Sequence, residues 1–81
     1  MKRKVSLYGR LRDAGRGDHV QVSLPSKATA KDALRALALA LGKNASLLTG
    51  CVIATDETVL SSSDLLPKTG ALAALPPVCG G

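Results

Sequence analysis

A chain of 81 residues has room for one domain with a modest core and needs no disulfides to fold. Tyr8 is its only aromatic residue, so Leu, Val and Ala must do the packing. The net charge of +5 invites a nucleic-acid reading, but single-strand binders interleave aromatics with their cations for base stacking, and here only Tyr8 could serve.

Lys2, Arg3, Lys4, Arg10, Arg12 and Arg16 crowd the start of the chain. No helix-turn-helix or zinc-finger spacing accompanies them, so no nucleic-acid partner is expected. They read as solvated charges that aid solubility or steer an acidic protein partner. No apolar stretch is long enough to span a membrane, and Met1-Lys2-Arg3-Lys4 leads into an alternating strand instead of a signal-peptide core. A soluble, unprocessed, cytoplasmic chain is expected, with Cys51 and Cys79 both reduced.

Lys2 to Tyr8 alternates as a strand, with Arg3, Val5 and Leu7 on one face. Gly9 to Asp18 is rich in glycine and charge and suits an exposed loop. His19 to Leu24 alternates again, with Val20, Val22 and Leu24 inward, so the two strands should form an antiparallel hairpin with a wide loop, and Pro25 ends the second strand. A helix follows. Thr29 is its N-cap, Asp32 completes a capping box, and Ala30, Ala33, Leu34, Leu37, Ala38 and Leu41 form its apolar face up to Gly42.

Lys43 to Gly50 reads as a connection with Leu47 and Leu48 tucked under the sheet. Cys51 to Thr55 is a buried strand, Asp56-Glu57 a turn, and Thr58 to Leu60 a short returning strand. Ser61 to Asp64 opens a helical turn ending at Pro67, with Leu65 and Leu66 inward. Ala71 to Leu75 is the last strand. The order fits an α+β fold, a mixed sheet packed on one main helix, with a domain over 1–75 and a tail over 76–81.

Ordinary catalytic equipment is missing. His19 sits on an outward strand face, Asp13 and Asp18 flank a glycine loop, and Gly15-x-Gly17 is too short to cradle a phosphate. The two cysteines and one histidine have no metal-ligand spacing, so neither a metal nor a bound cofactor is expected. The distinctive stretch is Leu75-Pro76-Pro77-Val78-Cys79-Gly80-Gly81. Pro76 and Pro77 stiffen its stem, while Gly80 and Gly81 make a tip slim enough for a narrow slot. From Pro76 to Gly81 the reach is on the order of 20 Å.

Those tail residues, together with Leu7-Tyr8-Gly9-Arg10-Leu11-Arg12-Asp13 near the start, resemble the small subunit of molybdopterin synthase, a family of ubiquitin-like sulfur carriers. The resemblance implies a β-grasp fold and a non-catalytic subunit of a sulfurtransferase. A ubiquitin-activating-like adenylyltransferase would use ATP and magnesium to adenylate Gly81, and sulfur would then give a thiocarboxylate. A large catalytic subunit, joined in a heterotetramer, would pass that sulfur to a pterin precursor to build the dithiolene. Pro76, Pro77, Val78, Cys79 and Gly80 would insert into the partner, and Arg12, Leu60 and Leu75 would contact it. Cys79 reads either as a small side chain that fits the channel or as a thiol reacting with the loaded tip. A carrier for thiazole, cysteine or tRNA thiolation, or a modifier joined to lysines, is the alternative. The sequence departs from the family in Ala73-Ala74-Leu75 and in lacking an asparagine near Thr55, which leaves the partner open.

Overall fold

The structure, a computed structural model, describes residues 2–14 and 17–76. The first alternation becomes strand β1, Lys2–Leu7, with Val5 and Leu7 fully buried and Arg3 nearly so. Strand β2, His19–Ser23, returns antiparallel with Val5 opposite Val20 and Arg3 opposite Val22. Both strands therefore turn one apolar face to the same side, as the period of two requires.

Helix α1, Ala30–Leu41, covers that side. Its capping box is complete: the Asp32 N–H donates to Thr29 Oγ1 at 3.3 Å, and the Thr29 N–H donates to Asp32 Oδ2 at 2.9 Å. The Ala30 and Lys31 N–H groups, which a helix leaves without internal acceptors, donate to the carbonyls of Asp64 and Ser62. The turn at 61–64 thus closes the helix start. At the other end Gly42 takes φ 58° and donates to the Ala38 carbonyl. The buried face is Ala30, Ala33, Leu37 and Leu41, and its alanines let the helix lie close to the sheet.

Strands β3, Val52–Ala54, β4, Val59–Leu60, and β5, Leu72–Leu75, complete a five-stranded sheet ordered β2-β1-β5-β3-β4. The central pair β1 and β5 is parallel, with Val5 opposite Leu72, and the remaining pairs are antiparallel. Val5, Leu7, Leu11, Leu37, Ile53 and Leu72 are the largest fully buried side chains. Each contributes about 1.5–3 kcal/mol of burial, which is what a core without Phe or Trp must be assembled from.

Three segments differ from the sequence expectation. Gly9–Ala14 is a 3-10 helix, not an exposed loop, and its Leu11 is fully buried. Gly9 makes this possible by taking φ 59°, after which the Leu11 N–H donates to the Tyr8 carbonyl and the leucine turns into the core. Gly42–Leu48 is likewise a 3-10 helix, with Leu47 and Leu48 packed against the core as expected. Ser61–Asp64 is a turn closed by the Asp64 N–H on the Ser61 carbonyl, without a helix after it. Leu65 then bridges Thr29 and is 62% exposed; of the two leucines, only Leu66 packs on the core.

Arg3 is the polar exception on the inward face of β1. Its Nη1 donates to the Pro67 carbonyl at 2.6 Å and its Nη2 to the Gly70 carbonyl at 3.0 Å. The guanidinium thereby fastens β1 to the bend that feeds β5.

Candidate functional site

Because β1 and β5 run parallel, their C-terminal ends emerge on the same side of the sheet. Leu75 and Pro76 therefore stand beside Tyr8 and Gly9, and a Cβ placed on Gly9 would lie 3.0 Å from Pro76 Cγ. Gly9 serves two purposes here: it supplies a left-handed backbone and it leaves room for the root of the tail. Pro77, Val78, Cys79, Gly80 and Gly81 lie outside the described residues.

Register fixes what surrounds that root. Val52 opposes Leu75 and Ala54 opposes Ala73, while Ser6 opposes Ala73 from the other side. These positions alternate with the buried Ile53, Ala74 and Leu7, so they lie on the sheet face turned away from α1. Val59, opposite Ala54, joins them and is 56% exposed. The outer face near the tail root is therefore apolar: Val52, Ala73 and Leu75 at its centre and Val59 at its margin.

Leu75 is where the sequence placed it. Leu60 is not. It opposes Ile53 and packs toward the core, on the helix side of the sheet. It lines a cleft of about 380 Å³ with Leu65 and Pro67, near Thr55 and Ala71, at the end of β5 opposite Leu75. A strand of two residues gives no alternation to read, so the face of β4 was decided by its register with β3. Val59 and Val52 are the residues that sequence reasoning missed on the outer face. The signal for Val52 was available, since it precedes the inward Ile53 by one position.

Arg12 is exposed, and its placement is defined. Its Nε–H donates to the Leu7 carbonyl at 3.2 Å, and the guanidinium carbon stands 5.8 Å from the Tyr8 ring centroid. Arg12 also borders a polar cleft of about 140 Å³ with Lys4, Ser6, Tyr8, Asp18 and His19. The Asp18 carboxylate accepts a hydrogen bond from His19 Nδ1 at 2.8 Å, and that bond holds its carboxyl below the ordinary value of 3.8. Arg12 and Tyr8 thus form a cationic and aromatic flank beside the tail root.

Cys51 is 7% exposed, its Sγ donates to the Leu47 carbonyl at 3.3 Å, and burial pushes its thiol upward. It is a core side chain. Among the described residues no group of three or more His, Cys, Asp or Glu could hold a metal ion, and no helix is long and apolar enough to cross a membrane.

The mixed sheet with its parallel centre, grasping one helix, defines a ubiquitin-like β-grasp domain. Among solved structures, it is similar to SAMP1 from Haloferax volcanii over 100% of both chains, with a TM-score of 0.79 and 22% identity. A structure of H. volcanii small archaeal modifier protein 1 matches with a TM-score of 0.73 and 22% identity, over 95% of this chain and 98% of that one. A putative molybdopterin converting factor, subunit 1, from Pyrococcus furiosus matches with a TM-score of 0.65 and 22% identity, over 96% and 99%. What is shared at this identity is the fold. No family model matches the sequence, and no curated protein matches it.

Proposed function

We propose that this chain is a sulfur carrier, the small subunit of a molybdopterin synthase, acting through the α-carboxylate of Gly81. The observation that carries the reading is the exit of β5. The chain leaves the sheet at Leu75-Pro76 beside an apolar outer face, and the sequence continues Pro77-Val78-Cys79-Gly80-Gly81. An apolar patch docks a partner while the stem carries the two glycines into a slot that no side chain could enter. Val52, Ala73, Leu75 and Val59 form the docking face, and Arg12 with Tyr8 meets an acidic group at its rim.

A free carboxylate is a poor electrophile. An adenylyltransferase partner, using ATP and magnesium, joins it to AMP and releases pyrophosphate. A sulfur nucleophile then attacks the acyl carbon, AMP leaves, and a thiocarboxylate remains. A large catalytic subunit transfers that sulfur to a pterin precursor, and water attacking the acyl carbon as the C–S bond breaks regenerates the carboxylate. The groups for these three steps belong to the partners, and this chain holds no cofactor of its own. The resemblance to a putative molybdopterin converting factor subunit supports this reading.

A second reading, a protein modifier, is favoured by the two neighbours described as SAMP1 and small archaeal modifier protein 1. Both readings share the adenylate and part afterwards. Incubation with an adenylyltransferase, ATP and a sulfur donor, followed by intact-mass measurement, tests the first: one oxygen is replaced by one sulfur. Isopeptide-linked conjugates on lysines without a thiocarboxylate would support the modifier reading and overturn the carrier.

A further inference from the structure

Strand β2 is the outer strand of the sheet, and among the described residues no strand pairs with its free side. The Leu7 N–H donates to the Asp18 carbonyl, so in the β1–β2 ladder the bonding residues of β2 are Val20 and Val22. The N–H and C=O groups of His19, Gln21 and Ser23 consequently face outward. Open edges are normally blunted by lysine, proline or a bulge, and His19–Ser23 carries none of them. The opposite edge, β4, has two residues and offers far less ladder.

A shallow cleft runs beside this edge, lined by His19, Val20, Gln21 and Ala40. Across the other sheet face stand Lys2, opposite Ser23, and Lys4, opposite Gln21, both exposed. Asp18 is hydrogen-bonded to His19, and Asp32 is held in the capping box.

We propose that the free edge of β2 is a second docking site, which takes an extended segment of alternating apolar and acidic residues from another protein as a sixth strand. Side chains of an added strand alternate between the two faces. Those on the helix side meet Val20 and Ala40 and are apolar. Those on the outer side lie two strand spacings, about 10 Å, from β1, within reach of the Lys2 and Lys4 ammonium groups, and are acidic. The backbone of His19, Gln21 and Ser23 supplies the ladder. The net charge of +5 favours such a segment over a second copy of the chain. β1 separates this edge from β5, so the ladder on β2 lies apart from the docking face at the tail, sharing only Lys4 and His19 with the cleft at its Arg12 rim, and it does not depend on the sulfur-carrier reading.

The test is an NMR titration of the labelled protein with a capped peptide of alternating valine and aspartate. The largest amide shifts are expected at His19, Gln21 and Ser23, and binding weakens as salt is raised. Q21P removes an outward N–H that β1 does not use, so the fold is retained by circular dichroism while affinity falls at least about tenfold. The double variant K2E/K4E, which leaves the edge backbone intact, weakens the same peptide and strengthens one with lysine in place of aspartate. Absence of shifts at β2, unchanged binding to Q21P, or a homodimer of the free chain that Q21P dissolves would each overturn the proposal.

Discussion

Removing the Arg3 guanidinium while keeping its stem isolates the fastening between β1 and the bend before β5. Arg3→Met preserves most of the apolar side chain on the inward face and deletes two charge-assisted hydrogen bonds, to the carbonyls of Pro67 and Gly70. Such bonds contribute about 1.5–3 kcal/mol each when buried. Gly70 is exposed and Pro67 half-buried, so water takes up both carbonyls in the variant and the loss falls at the low end. We expect a total of about 2–3 kcal/mol, a large share of the roughly 5–15 kcal/mol that holds a domain of this kind folded. At about 4–8 °C per kcal/mol for this size, the midpoint of thermal unfolding should drop by roughly 10–20 °C. Urea unfolding followed by far-ultraviolet circular dichroism measures it, since the chain has no Trp. Arg3→Lys, whose single ammonium cannot span both carbonyls with the same geometry, should fall between. A loss below about 0.5 kcal/mol for Arg3→Met, the range of ordinary surface changes, would refute the reasoning.

Gly9→Ala meets two obstacles, a left-handed φ of 59° and Pro76 Cγ at 3.0 Å, and should cost about 1–2 kcal/mol in the same unfolding assay while slowing adenylation by displacing the tail root. Asp32 and Asp64 are both held below 3.8, chiefly by the N–H groups of Thr29 and Ser61, so the native state binds fewer protons than the unfolded chain. Their contribution is complete above the ordinary carboxyl value and is lost as pH falls through the lowered ones; the double variant D32N/D64N should flatten the urea midpoint against pH below about 5. Cys51 should resist alkylation in the native protein and react only on unfolding, because burial raises its thiol and hides it. In the tail, Gly80→Val should block adenylation with no change in thermal midpoint, whereas Cys79→Ser should leave sulfur loading intact.

Much of the fold could be read from the residues because the local and global signals agree. The alternations of β1 and β2, the Thr29–Asp32 box and the apolar face of α1 each appear as sequence patterns and recur unchanged. Leu11 could not be read, since one leucine between two arginines in a glycine-rich stretch has no periodicity; its burial depends on the positive φ of Gly9 and on the core it meets. Leu65 and Leu66 adjoin, and only the bridge of Leu65 to Thr29 decides which one turns outward. The same limit governed the site. Leu75 followed from the strand that carries the tail, whereas Leu60 turns to the helix side and Val59 outward because β4 has no alternation of its own and takes its face from Ile53. Arg12 carried a visible charge, but its contact with the Leu7 carbonyl belongs to a turn whose shape the sequence did not declare.

The central claim rests on the terminal acyl group. It is tested most directly by intact-mass spectrometry of the chain after treatment with an adenylyltransferase, ATP and a sulfur donor. The account predicts exchange of one oxygen for one sulfur at Gly81, abolished when a single alanine is appended after it. A chain that acquires sulfur equally well with the alanine in place, or acquires it at Cys51 or Cys79 instead, would contradict it.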